Sequence, residues 1–563
     1  MRGAFVVALS LVAVSARADE YHYQTFLIGE RALGMGGAAT GVADEASAVF
    51  YNPAGIALMG GDAVGGNLSI NAFDRRRIED GYGSPAGTAD LSATYRPGVP
   101  LFASAVKRIG PRGADRVRRH AFALSTVNPM QRRLRYEVEV FNPDTRVRES
   151  LTIDTERRAT WYGPTLALRL SEAFAVGLSV FWVRQRVRHR EDATSVTALT
   201  LDPSRGTYEN DTAFVRESLA KLDTHHLVFR LGGVWAPGGR WRVGLLFQPP
   251  GIEIKDSARI MERRILADTL ASPAYATLAF GDQRGLSGAA PIPWELRVGA
   301  SYAPSEALLF GADLSVVGGV GSRAQPLRRF GDPEPDPETG FVPEPGDYVV
   351  RDLWRRPVVN VSVGMEAVLG GVVPLRLGFF TDRSAAPTIE GPTDVYQPVD
   401  IDRYGATASV GFRSGDYDLS LGAAVLYGRG RGLRTNPFGP TDPDATYLPT
   451  DVQDRTVYFF VSGARRAAKR LARRVVRRRA SRSRDAGGDS GHRDRVGAAR
   501  PAEREDPEVG DAEVRDLDET EDEGEDETAG EGESAGGDEA PSVLRPLPPA
   551  EPPTPRPDPL SGG

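Results

Sequence analysis

From residue 293 onward the chain alternates apolar and polar positions with a period of two. In "PWELRVGASY", Trp294, Leu296, Val298, Ala300 and Tyr302 fall on one face, and Glu295, Arg297, Gly299 and Ser301 on the other. "LLFGADLSV", "VVNVSVGMEA", "RYGATASVGF" and "YDLSLGAAVLY" repeat the pattern. Successive side chains of a strand point to opposite faces, so this spacing predicts strands with one greasy and one polar side. Extended over the chain, it places fourteen strands, near 62–72, 99–108, 119–127, 160–170, 174–188, 225–236, 240–248, 293–303, 307–317, 358–369, 373–382, 404–413, 417–427 and 454–462.

Two features select a membrane barrel over a soluble sandwich. Aromatic residues close both ends of the apolar face: Trp294 with Tyr302, Tyr404 with Phe412, Tyr417 with Tyr427. Such pairs match the girdles at the two bilayer interfaces. The connections also alternate. Tight turns at 171–173, 237–239, 304–306, 370–372 and 414–416 interleave with long segments at 189–224, 249–292, 318–357, 383–403 and 428–453. No later segment offers the ~18 apolar residues of a membrane helix, so a closed sheet is the remaining way to satisfy the backbone inside hydrocarbon. The expected fold is all-β: a transmembrane antiparallel β-barrel of about fourteen strands spanning residues 62–463.

The polar face then looks into a lumen. It carries Arg297, Glu366, Arg376 and Asp418, and repeats glycine at 177, 232, 244, 299, 311, 364, 378, 411 and 422. Glycine inside a strand marks a bend or the close approach of another group. Room for something in the lumen and simple barrel curvature explain these glycines equally well.

The first eighteen residues, "MRGAFVVALSLVAVSARA", read as a secretory signal peptide, with an early arginine, an apolar run from Ala4 to Val14 and cleavage after Ala18. The 563 residues include no cysteine, which excludes disulfides and thiolate metal sites. The histidines at 22, 120, 189, 225, 226 and 492 are scattered, and His225 and His226, adjacent in a strand, point to opposite faces. Neither a metal nor a cofactor is expected.

Residues 19–61 break the alternation. "GERALGMGGAATGVADEASAVFYNPAGIALMGG" is rich in glycine and alanine. Gly34, Gly36 and Ala39 formally fit a dinucleotide-binding pattern, but no strand leads in and no βαβ unit follows. "GESAG" at 532–536 formally fits a nucleophile elbow but lies in an acidic low-complexity stretch, so no enzyme is read from it.

This segment resembles the N-terminal signature of FadL/TodX-type outer-membrane transporters of long-chain fatty acids and hydrocarbons. The matching elements are Gly34 to Ala38, then Asp44, Ser47 and Ala48, then Asn52, Pro53, Ala54 and Gly55. Later stretches, among them "PWELRVGASYAP" and "PLRLGFFTDRSAAP", are similar to the family as well. The resemblance implies that residues 19–61 fold as a hatch inside the barrel, with Phe50, Asn52, Pro53, Ala54 and Gly55 gating the ligand. It also implies sideways exit through a gap beside a kinked strand. The third strand runs into Asn128 and Pro129; proline removes a ladder hydrogen bond and marks either that kink or simply the end of the strand. The implied function is passive uptake of hydrophobic small molecules by a monomer in the outer membrane, without nucleic acid. The alternative is a structural or secretion-system barrel without transport.

Past "DRTVYFFVSG" the chain departs from the family. Residues 464–484 carry eleven basic and no acidic residues, with a weak helical stripe. Residues 485–563 carry 24 acidic against 7 basic residues and end rich in proline. This composition does not bury a core, so a disordered tail is expected, in the periplasm given an even strand count. There it stays solvated, lies on anionic head groups or binds a periplasmic partner.

Overall fold

The computed structural model describes residues 22–24, 26–42, 44–84, 86–95, 100–112, 118–197, 200–202, 207–209, 212–238, 240–268, 275–286, 288, 290–321, 354–392, 399–415, 417–435 and 447–466. The signal peptide at 1–18, most of the basic segment at 464–484 and the acidic tail at 485–563 lie outside them; residues 464–466 belong to the last strand.

The strands are β1 (Ala63–Ser84), β2 (Gly87–Tyr95), β3 (Pro100–Arg112), β4 (Arg118–Asn142), β5 (Val147–Arg169), β6 (Phe174–Thr197), β7 (Thr200–Asp202), β8 (Thr207–Glu209), β9 (Thr212–Trp235), β10 (Trp241–Gln248), β11 (Ile252–Asp268), β12 (Tyr275–Leu286), β13 (Glu295–Ser305), β14 (Leu308–Val317), β15 (Val358–Leu369), β16 (Val373–Asp382), β17 (Asp400–Ser414), β18 (Tyr417–Leu433) and β19 (Pro449–Arg466). β7 and β8 form a small separate hairpin, and the other seventeen make one antiparallel sheet. β1 pairs with β19, from Ala63 opposite Arg466 to Ile78 opposite Val452, and so closes the sheet on itself. β2 and β3 both pair with β1, β10 and β11 both with β9, and β12 and β13 with β11 and β10 in turn. Each couple is one interrupted barrel strand, which leaves a closed barrel of 14 strands.

The period-two faces sort as lipid-compatible outside and polar inside. Leu296 and Val298 on β13, Leu375 and Leu377 on β16, and Leu419 and Leu421 on β18 are exposed on the outer surface, while Glu366, Arg376 and Asp418 are buried inside. Trp241 and Tyr302 pack on one another outside, with ring centroids 4.5 Å apart. With no lipid counted, exposed apolar rings and buried charges are what a membrane-facing wall requires.

The wall is uneven in height. β13 to β16 have 10 to 12 residues, close to the 9–11 that cross a bilayer. β4, β5, β6 and β9 have 25, 23, 24 and 24. The sequence pattern misplaces this taller side: 119–127 is only the start of β4, and the loops expected at 189–224 and 249–292 are largely β6, β9, β11 and β12. Above the apolar belt the tall strands carry charge outward, and inward they pack Ile78, Leu91, Leu134, Ile153 and Ile401 into a second small core.

Candidate functional site

The glycine-rich segment has too few large side chains to make a core of its own. It folds as two single-turn helices, α1 (Arg31–Gly34) and α2 (Ala48–Tyr51), and a 3-10 helix (Pro53–Leu58), joined by tight turns. Gly36 and Gly37 sit at φ +65° and +83°, which favours glycine. The segment lies inside the barrel. Its main chain approaches the inner wall at the inward glycines: a Cβ on Gly244 would lie 2.0 Å from the Thr40 carbonyl oxygen, and one on Gly378 2.1 Å from the Gly36 nitrogen. Gly177, Gly232, Gly299, Gly311 and Gly364 meet the segment in the same way, whereas Gly411 and Gly422 face strand neighbours. Seven of the nine glycines on the polar face are therefore the seat of this hatch.

Polar side chains finish the seal. The Asn52 amide nitrogen donates to the carbonyls of Thr40 and of Gly233 on the wall, both at 3.0 Å, and its oxygen accepts from the Ala54 N–H at 3.3 Å. Asp313 on β14 accepts from the Ala39 N–H at 3.0 Å, the Thr40 N–H at 2.8 Å and the Thr40 hydroxyl at 2.7 Å. Thr407 accepts from the Gly36 N–H at 3.0 Å, and its hydroxyl donates to the Gly34 carbonyl at 2.9 Å. Arg31 binds Asp44 at 2.6 Å and reaches Glu366 at 3.3 Å; Arg376 joins Glu366 at 2.7 Å and Glu30 at 3.2 Å. Asp44 also takes Arg242 of the wall at 3.0 Å. Within this network each guanidinium faces a carboxylate, as a low-dielectric site demands. Asp313 and Thr407 went unremarked in the sequence as hatch partners; the only signal was a polar residue on an inward face.

Above the hatch lies a cavity of about 110 Å³. Its floor is Leu27, Gly37, Phe50 and Tyr51, and its walls include Trp161, Arg230, Ile292, Glu295, Arg297, Val317 and Phe380. Phe50 meets Trp161 edge to face at 5.6 Å, and Trp161 meets Phe181 at 5.5 Å. Arg230 stacks over Phe50 at 4.1 Å and Arg297 over Tyr51 at 5.3 Å, with Glu295 bonded to both guanidinium groups. The cationic faces are thus spent on rings and a carboxylate, which leaves a lining of aromatic edges and neutralised charge. Among the expected site residues, Phe50 reaches this cavity. Pro53 and Ala54 lie against Gly177, and the Gly55 N–H donates to the Asn52 carbonyl at 2.9 Å. Among the described residues no cluster of metal-ligating side chains occurs.

Asn128 and Pro129 stand elsewhere, in the wall. β4 does not end there; it runs on to Asn142. The pairing with β5 slips between Val127 and Met130, a bulge that reverses which side chains face inward. On the other flank, β3 pairs with β4 as far as Phe102 opposite Val127, and β2 resumes only at Ala93 opposite Tyr136. β1 carries its own irregularity nearby, between Ser69 and Asn71. The hatch touches this place: the Phe26 N–H donates to the Pro129 carbonyl.

A FadL homologue from Pseudomonas aeruginosa aligns over 79% of this chain and 99% of its own, with 16% identity and a TM-score of 0.51. The fold is that of the FadL homologue. The toluene transporter TodX of P. putida aligns over 78% of this chain and 98% of its own at 14% identity, TM-score 0.49. The Ralstonia pickettii toluene transporter TbuX gives 78%, 98% and 14%, TM-score 0.44. No protein-family model matches the sequence, and no curated protein matches it.

Proposed function

We propose that the protein is an outer-membrane channel for the passive uptake of hydrophobic small molecules such as long-chain fatty acids or aromatic hydrocarbons. One observation carries the reading. The lumen is stoppered by the chain's own N-terminal segment, and the cavity directly above the stopper is floored by that segment's aromatic rings. A water-filled pore has no use for such a stopper, and a purely structural barrel has no use for an aromatic pocket on it. The ligand enters from the tall rim, settles on Phe50 and Tyr51, and leaves sideways where β4 parts from β2 and β3. Phe26 couples the two places. Nothing in this path needs an energy source, because a lining of apolar groups lowers the barrier that the polar outer leaflet raises.

The test is uptake of radiolabelled oleate and toluene by cells carrying the full chain or a chain lacking residues 19–61 after the signal peptide. Faster flux than in cells without the protein supports the channel. Absence of flux in both, with the barrel present in the outer membrane, defeats it and leaves a non-transporting barrel.

A further inference from the structure

The outer surface of the tall wall carries charge in an unusual register. On β6, Arg184, Arg186, Arg188 and Arg190 occupy alternate positions, while Gln185 and His189 between them and Glu191 just beyond are buried. The four arginines therefore share the outward face. Arg188 stands directly opposite Lys221 of β9, Lys221 opposite Arg259 of β11, and Arg259 opposite Arg284 of β12. Four strands thus present one unbroken row of cations. A step closer to the membrane, Arg158 of β5 stands opposite Arg186, and Arg184 and Lys255 flank His225.

Like charges directly opposite one another destabilise a sheet. Nearby carboxylates cancel only part of this charge: Glu156 of β5 stands opposite Arg188, and Arg190 binds Asp192 and Glu217, both at 2.9 Å. Asp223 is shared between Arg184 and Arg186, at 3.0 and 3.2 Å. Asp282 is shared between Arg259 and Arg284, at 2.6 and 2.8 Å. Lys221 and Lys255 make no hydrogen bond or ion pair among the described residues. A sheet that keeps such a row is completed by an anion from outside.

Position says which anion. Two residues below Arg184 on the same face is Trp182, exposed and paired across the ladder with exposed Tyr162. Below these rings the outer face is apolar, with Leu178, Leu166 and Leu231 exposed. The cationic rows therefore begin where the aromatic girdle ends, at the height of the outer leaflet's head groups. We propose that this face of β5, β6, β9, β11 and β12 seats the phosphorylated saccharide head group of an outer-leaflet glycolipid. Guanidinium groups take phosphate oxygens in bidentate fashion, lysines add point charge, and the acyl chains continue down the apolar wall. The inference rests on the outer-membrane placement and not on transport.

The experiment uses the full chain in detergent, titrated with phosphorylated lipid A and with its dephosphorylated form, and binding is read by native mass spectrometry. Arg188→Gln/Lys221→Gln is compared with Lys107→Gln, an exposed cation near the tight turns. Heat-modifiable migration confirms a folded barrel in each. Phosphorylated lipid A is expected to bind the natural chain and Lys107→Gln alike, and the double variant about tenfold more weakly. Equal affinity for the dephosphorylated form, unchanged affinity in the double variant, or displacement by inorganic phosphate at matching concentration overturns the proposal. Oleate and toluene flux in the same variants separates it from the channel reading: lost glycolipid binding with intact flux touches only this face, and lost flux with intact binding touches only the pore.

Discussion

The backbone N–H of Phe26 donates to the carbonyl oxygen of Pro129 at 3.3 Å, so the first described stretch of the hatch is bonded to the bulge in the wall. Phe26 also sets its ring edge-on against Tyr458 at 5.3 Å, on the strand that closes the barrel. A movement of the N-terminal stretch would thus be felt where β4 leaves its neighbours. On the proposed exit path, Pro129 brings no N–H to the ladder. Replacing it by alanine restores the donor and lets β4 pair more fully. Pro129→Ala is expected to reduce hydrophobic uptake severalfold while thermal stability stays equal or rises; radiolabelled uptake beside a detergent melt reads both. Unchanged uptake would detach the bulge from the exit path.

Asn52 holds the hatch to the wall with one amide. Its donated bond to Thr40 and its accepted bond from Ala54 are buried, and its donated bond to Gly233 is half-buried. Asn52→Ala leaves two carbonyls unsatisfied, and each buried unsatisfied group costs about 1–3 kcal/mol. The cost falls on hatch docking, because the barrel ladders are untouched. The expected result is leakage: higher single-channel conductance in planar bilayers with an unchanged barrel melting temperature.

The glycine seat makes a sharper version of the same argument. A side chain on Gly378 meets the Gly36 main chain, while one on Gly233, facing outward, meets nothing within 4 Å. Gly378→Val is expected to displace the hatch and raise conductance, and Gly233→Val to behave as the natural chain. Equal conductance in the two variants would show that the hatch does not depend on this contact.

How far the sequence carries is plain from these residues. Strands such as β13 and β16 were legible because one face is uniformly apolar, as Leu296 and Val298 are. The part of β6 beyond Arg188 was not: Arg190 points out, His189 and Glu191 point in, and alternation between two polar faces leaves no hydrophobic period. Residues 249–292 read as one long loop, yet Pro249 and Pro250 only interrupt a strand that resumes at Ile252. Asn128 and Pro129 read more readily as a strand end than as a kink, and only the register across β5 shows a bulge. The bonds from Asp313 to Ala39 and Thr40 span more than 270 residues, a separation over which local pattern holds no information.

The tall wall should answer to acid. The Arg133 guanidinium hydrogen-bonds Asp154 at 2.8 Å and holds its carboxyl below the usual range; Arg259 does the same for Asp282 at 2.6 Å. A depressed folded pKa gives stability that is complete above the unfolded value, about 3.9, and is lost as pH falls through the folded one. Hydrogen exchange, corrected for intrinsic rate, is therefore expected to quicken in residues 147–159 and 275–286 on acidification from about pH 6 to about pH 3, while β13 to β16 stay protected. Uniform protection at both values would mean that these pairs do not hold the rim.

The cavity on the hatch is small for a long acyl chain. At about 110 Å³ it falls below the roughly 150 Å³ of an engineered cavity known to hold benzene, so a ligand larger than one ring must push something aside. Trp161 is the piece to remove: it forms a wall, stacks on Phe50, and lies inside the barrel without bridging hatch and wall by any charge. Trp161→Ala removes an indole and its edge-to-face contacts, a loss of about 3–5 kcal/mol of local packing. If the cavity gates by size, flux of oleate should rise relative to toluene in this variant, with the ratio measured in one mixed-substrate assay so that expression cancels. If the ratio stays fixed while total flux changes, the pocket above Phe50 is not where size is judged, and the selecting constriction lies at the wall near Pro129 instead.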